Sequence, residues 1–436
     1  MWPVSILTGS SASPSTRRSA RGRAVDTTAL LVGTTVNGLL AYVFFALATR
    51  TLGGEGAAPV AQLWTYWSAS AAVLTFPVQH WIIRSSHTGA GLAAVRRVLP
   101  RVTAAVLALS AAVAAFSWLA REQVFTSEDV AFPVMAAAVT VGAFIVGVVR
   151  GRLAGADRFV ATGVAIAAEN VLRVLLAVIV VWRAGGAVGF GLALSAGGLV
   201  VLAWPSAFRF PDPAAGDERA SAMALLGGTA AGSLIAQLVL TGGPVVLATI
   251  GGRAAEITAL FAALALFRAP YLLALGLVTQ VTGAFTDLIV GGRHHAVRRI
   301  RRLVVVAGVV AAAAAWLFGL TVGPVLIRLV FGADVAPAPQ IVALVAAAST
   351  VALANLVFTV LLVARGSSGQ LTANWVAAVG VAVAVLLASR LPPLPLVSWA
   401  FLAAEVTAFV LMWLGEVRAH RAWTGAGTDR ERPTTR

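Results

Sequence analysis

The chain has no lysine and no cysteine, and it is poor in charge of either sign. Each gap removes a class of chemistry. All 32 basic residues are arginine, so the lysine that a phosphate-binding loop lays on a nucleotide is missing. The amine of a Schiff-base enzyme is missing too. These gaps argue against an ATP-hydrolysing motor within this chain. Without cysteine there is no disulfide, no thiolate nucleophile and no thiolate metal ligand. Charged residues make up 11% of the 436 positions, against about 25% in a soluble domain. With 59% apolar residues and a mean hydropathy of +0.90, the sequence reads as an integral membrane protein.

What it has instead is a series of apolar runs of about 20 residues, each long enough to cross the hydrocarbon layer as a helix. Twelve crossings are expected, near 27–49, 59–83, 99–119, 131–149, 159–182, 187–204, 223–250, 257–289, 303–327, 338–364, 370–389 and 396–415. The seventh and eighth are long enough to require a tilt or a kink. Residues 1–26 and 416–436 are expected as disordered cytoplasmic tails. In the first of these a short apolar stretch precedes the arginines, the reverse of a signal peptide.

Arginine placement tests the count. With the N-terminus inside, 24 of the 32 arginines fall on cytoplasmic segments and six on external loops. The other two, Arg173 and Arg268, lie within spans. This is the positive-inside pattern, and a missed span would scramble it. Both termini are therefore expected in the cytoplasm, with the chain in the inner or plasma membrane. The net charge of +15 then sits mainly on the inner face, where it would hold anionic lipid headgroups. Topology accounts for that charge without a nucleic-acid partner.

The polar stretch "PSAFRFPDPAAGDERASA" at 205–222 is expected to link two six-helix lobes, 27–204 and 223–415. The opening helices of the two lobes, "ALLVGTTVNGLLA" (29–41) and "ALLGGTAAGSLIA" (224–236), agree at seven of thirteen positions. Pro77 and Pro270 interrupt the second helix of each lobe, and Pro244 follows two glycines in the seventh span. Interior proline removes a backbone hydrogen bond and kinks a helix. In parallel-repeat transporters such interrupted helices point to the central cavity; tolerated kinks are the plainer alternative. The expected fold is an all-α polytopic membrane protein, with about 12 transmembrane helices in two lobes around a central cavity.

The charges inside the spans are the candidate site. Either charge in "IAAENVLRVLLAVIV" (166–180) costs about 2.5–3.5 kcal/mol near a bilayer centre. Glu169 and Arg173 stand four residues apart, on one helix face. They read either as a structural ion pair or as a pair in which Glu169 holds Arg173 until a substrate phosphate competes for it. Arg268 lies roughly 17 Å along the eighth span at 1.5 Å per residue, just before Pro270. Arginine stays charged and binds phosphate oxygens in a fork, so Arg268 and Arg173 are the candidate diphosphate contacts. Glu405 has no partner legible in sequence. Asp287, His80 and the pair His294–His295 read as surface residues. No catalytic residue, metal or cofactor is expected.

Four segments carry a family resemblance: "LLVGTTVNGLLAYVFFALATRTLGGEG", "FPVQHWIIR", "LFRAPYLLALGLVTQVTGAFTDLI" and "VGPVLIRLVFGADV". In order and spacing they resemble the polysaccharide-export flippases of the multidrug/oligosaccharidyl-lipid/polysaccharide exporter (MOP) superfamily. The resemblance implies two lobes in a V and outward flipping of a polyprenyl-diphosphate-linked oligosaccharide for cell-surface polysaccharide assembly. It adds Arg84, where the second helix meets the cytoplasm, and Asn37, which stands in the first helix where cation-coupled relatives often place an aspartate. It also implies a glycan polymerase and glycosyltransferases as pathway partners. The first turn departs from the pattern, lacking a proline after Leu52-Gly53. The rival readings are a multidrug exporter of the same superfamily, a major-facilitator carrier, and a membrane-embedded glycosyltransferase or polymerase. The last would need an acidic external loop longer than the roughly ten residues available, so a transporter is expected rather than an enzyme.

Overall fold

Where lipid offers no hydrogen bonds, a backbone this apolar can satisfy its N–H and C=O groups only within helices. The computed structural model describes residues 20–86, 91–211, 229–275, 285, 288–289, 291, 293–365 and 367–428, and no strand occurs among them. The first half comprises α1 (Ala20–Gly56), α2 (Ala58–Ser70), α3 (Phe76–Ser86), α4 (Gly91–Leu119), the short α5 (Arg121–Val124), α6 (Ala131–Gly155), α7 (Phe159–Trp182) and α8 (Ala187–Ala196). The second comprises α9 (Thr229–Thr241), α10 (Gly243–Thr249), α11 (Ala254–Phe267), α12 (Ala269–Leu275), α13 (His294–Thr321), α14 (Gly323–Phe331), α15 (Pro339–Ala364), α16 (Ser368–Ala388) and α17 (Pro393–Thr428).

Eight of these helices are long and apolar enough to cross a membrane, and two bent pairs bring the number to ten. α2 continues into α3 through one π-helical stretch, Ala71–Thr75. α8 continues as a 3-10 helix over Gly197–Ala203. Together these give the twelve crossings expected from hydropathy. The protein is an all-helical, multi-pass membrane protein.

The prolines shape the breaks. Pro77 has no N–H for the preceding turn, and the ladder widens to π geometry just ahead of it. Pro244 sits at the start of α10, beyond a 62° bend between α9 and α10. Pro270 opens α12 after a 48° bend, and Arg268 occupies the corner as the C-cap of α11.

Helix ends depart from the sequence expectation in three places. α1 takes in residues 20–26 and α17 takes in 416–428, where disordered tails were expected; neither stretch holds a proline to stop a helix extending from the membrane. The ninth crossing ends at Thr321 rather than 327, because Gly323-Pro324 starts the separate helix α14. Most of the expected linker, residues 212–222, lies outside the described residues, as do 1–19, 223–228, Asp287 and 429–436.

α1 packs along α7, α13 along α15, and α16 along α17. Gly33 and Gly163 let α1 and α7 approach backbone to backbone, since a Cβ on either would enter the other helix. The two halves meet mainly through α1 and α2 against α10, α11 and α14. There Arg50 donates to the carbonyls of Leu329 and Val330, capping the end of α14. Gln62 Nε2 donates to Pro244 O (2.8 Å) and Tyr42 OH to Ala265 O (2.5 Å). Phe45, Trp64, Phe261 and Phe331 fill the seam with ring contacts.

At the opposite end, arginines stitch each half to its own last crossing. Arg96 and Arg152 donate to Phe210 O (3.3 Å) and Arg209 O (3.1 Å). Arg365 pairs with Glu416 at 2.9 Å, and Arg301 donates to Glu416 O (3.1 Å).

Candidate functional site

Glu169 is the centre of a buried polar cluster in the first half. It and Arg173 share a face of α7, as their spacing requires, and Arg173 NH2 meets Glu169 Oε1 at 2.6 Å. A second arginine, Arg150 of α6, meets Oε2 at 2.6 Å. Trp67 of α2 donates its indole N–H to Oε1 (3.2 Å). One carboxylate therefore serves two guanidinium groups.

Arg173 is enclosed completely, at 1% exposure. Its Nε donates to Leu194 O (3.0 Å) and its NH1 to Asn170 Oδ1 (2.9 Å). The guanidinium lies 4.3 Å from the Trp67 ring centroid, within cation–π range. Gly197 closes the other side, where an added Cβ would stand 2.9 Å from Arg173 Cζ. At that glycine α8 tightens to 3-10 geometry. Asn170 Nδ2 in turn donates to Asn37 O (2.8 Å), so Asn37 joins the cluster through its carbonyl and ties α1 to it.

The expected fourth crossing stops at 149, one residue short of Arg150. The helix runs on to Gly155, and Arg150 is buried on it, five residues before its end. Trp67 and Asn170 were also missed. The antiparallel arrangement of α6 and α7 around the turn at 156–158 held the signal for Arg150. Residues 150 and 169 then differ in height by only about 7.5 Å, and an arginine on α6 leans back toward the membrane interior.

Arg268 lies apart from this cluster, at the bend between α11 and α12. It is 7% exposed, and its guanidinium stands 5.7 Å from the Phe261 ring centroid, at the seam between the halves. Among the described residues it makes no ion pair. Arg84 is exposed on the last turn of α3. Pro77 is half-buried, Pro244 buried and Pro270 exposed.

The second half holds a different group. Glu405 of α17 is fully buried, and Asn355 of α15 donates to its Oε2 (2.8 Å) and to its backbone carbonyl (2.9 Å). Among the described residues, Glu405 Oε1 and Asn355 Oδ1 are buried without a hydrogen-bond partner. Gln237 of α9 donates to the Tyr271 hydroxyl (2.7 Å). An ionised carboxylate with one empty oxygen in an apolar interior is costly, whereas the protonated acid is not. Glu405→Gln is therefore expected to keep the melting temperature of the parent in detergent. Glu405→Ala should lower it by stranding the Asn355 amide. A melting temperature for Glu405→Gln as low as that of the alanine variant would mean that the group needs its charge.

No family model and no curated protein matches the chain. Solved structures do. The inward-facing conformation of a multidrug resistance MATE family transporter of the MOP superfamily superposes with a TM-score of 0.61 at 17% identity, covering 91% of this chain and 98% of that one. The fold is that of the MOP transporters. A MATE structure in the bent conformation gives a TM-score of 0.54 at 17% identity over 93% of this chain and 96% of that one. The outward-facing conformation of a multidrug resistance MATE family transporter gives 0.50 at 17% identity, covering 91% and 95%. These similarities concern the fold.

Proposed function

We propose that the protein is a membrane exporter that moves a polyprenyl-diphosphate-linked oligosaccharide from the inner to the outer leaflet. The observation that carries this reading is Arg268. A guanidinium is buried at the broken helix on the seam between the halves, and no described carboxylate neutralises it. A transporter of organic cations would gain nothing from a fixed positive charge there, whereas a diphosphate headgroup would supply the missing anion. The polyprenyl tail stays in lipid while the glycan passes between the lobes. Both termini face the cytoplasm in this reading, which puts the Arg50, Gln62 and Tyr42 contacts toward the outer end of the seam. Anionic inner-leaflet lipids hold the basic face, and glycan-assembling enzymes supply and consume the cargo.

The multidrug reading rests on the likeness to multidrug MATE structures, and one experiment separates the two. Proteoliposomes holding the purified protein are loaded with a fluorescent polyprenyl-diphosphate sugar, or with ethidium. Exposure of the labelled sugar on the far leaflet without ethidium movement is the expected result. Ethidium transport without sugar exposure would replace this function with drug export.

A further inference from the structure

We infer that Arg150 is a second phosphate contact, one that leaves Glu169 when the anionic headgroup arrives. This rests on the anionic-substrate reading above and adds a residue to it. The two arginines on Glu169 are held very differently. Arg173 is fixed through Nε, NH1 and NH2 to three separate acceptors, is stacked on Trp67, and is closed in behind by Gly197. Among the described residues, Arg150 has the one bond from NH2 to Glu169 Oε2, and its Nε is buried with no partner. Its side chain also retains 11% exposure, against 1% for Arg173.

Charge points the same way. Glu169 balances one guanidinium, so the cluster as built carries an extra positive charge in the apolar interior. Removing Arg150 would leave Glu169 and Arg173 as a neutral pair, at the cost of the bond to Glu169 Oε2. A side chain that only stabilised the fold would not be the one whose loss removes the imbalance. An anion that took the Arg150 fork would remove it equally well: phosphate would gain a bidentate partner, including the idle Nε, and Glu169 would keep Arg173. Arg150 also sits about 8 Å inside the end of α6, at the membrane face expected to be cytoplasmic, where a headgroup from the inner leaflet enters.

The test measures binding and melting on the full-length protein in detergent. Farnesyl diphosphate serves as the lipid probe and inorganic pyrophosphate as the free anion, with Arg150→Gln, Arg150→Lys and Arg268→Ala as variants. Arg150→Gln is expected to weaken farnesyl diphosphate binding by about tenfold or more, the loss of one charge-assisted contact. It should melt close to the parent, relief of the extra buried charge offsetting the lost bond to Glu169 Oε2. Arg150→Lys should lie between the two in affinity, for want of the fork. Pyrophosphate matching farnesyl diphosphate in affinity would identify the contact as one for free anion rather than lipid and overturn the assignment as stated. Unchanged binding in Arg150→Gln, or a clear fall in its melting temperature, would make Arg150 a structural partner of Glu169. If Arg268→Ala weakens binding while Arg150→Gln does not, only the Arg150 assignment fails. A parent protein that binds neither probe would instead remove the anionic-substrate reading itself.

Discussion

Glu169→Ala is expected to reduce the yield of folded, monodisperse protein more than any other single substitution in the first half. The carboxylate sits between Arg173 and Arg150 at 2.6 Å from each, and accepts the Trp67 indole N–H as well. Breaking a buried ion pair by removing one partner costs about 3–5 kcal/mol, because the other charge stays buried and uncompensated. Here removal strands two like charges beside each other, so the loss belongs at or above the top of that range. Whole domains are stable by only about 5–15 kcal/mol. Arg173→Ala should be milder, since Arg150 still neutralises Glu169, although it empties a closed site under Gly197. The double variant Glu169→Ala/Arg173→Ala should lose less than the two single losses added together, the signature of side chains that meet. Folded yield by size exclusion and thermal melting of the three variants give the cycle. Strictly additive losses, or Glu169→Ala melting like the parent, would mean that the cluster does not hold the lobe together.

The sequence made part of this cluster legible and concealed the rest for a physical reason. Glu169 and Arg173 share one helix, so the helical repeat alone brings them together. Arg150, Trp67 and Asn37 reach the same carboxylate or its neighbours from three other helices, and their registers depend on packing. Hydropathy also treats a charge as the end of a span, which stopped the fourth crossing at 149 although its helix runs on to Gly155. The number of crossings was easier, because lipid forces every long apolar run into a helix. The proline breaks were legible too, whereas the π-helical stretch ahead of Pro77 and the 3-10 turn after Gly197 answer to their neighbours. In the second half Glu405 showed no partner in sequence, because Asn355 lies fifty residues away on α15.

Arg268→Ala is expected to insert and fold normally and yet to lose translocation of the lipid-linked glycan. The two outcomes separate because this arginine, unlike Arg173, has no ion pair among the described residues whose breakage would strand a partner. Its removal relieves a buried charge instead of exposing one. The helix break beside it belongs to Pro270, and the ladder across the corner is carried by backbone bonds from Arg268 N to Leu264 O and from Leu272 N to Arg268 O (both 3.0 Å), which alanine keeps. What alanine removes is the fixed positive charge at the seam, where a headgroup bearing about two negative charges would have to pass. Arg268→Lys should restore only part of the rate, because an ammonium keeps the charge without the bidentate fork. The same charge gives the cargo a driving force: an inside-negative potential favours outward movement of an anion by about 2.3 kcal/mol per charge per 100 mV. Outward appearance of a labelled polyprenyl-diphosphate sugar in proteoliposomes, with and without an imposed potential, reads both effects. The parent should accelerate under an inside-negative potential, and Arg268→Ala should remain near the protein-free background at either setting. Full activity in Arg268→Ala would take this residue out of the path, and a parent rate indifferent to voltage would leave the transport to be driven by something other than the charge of its cargo.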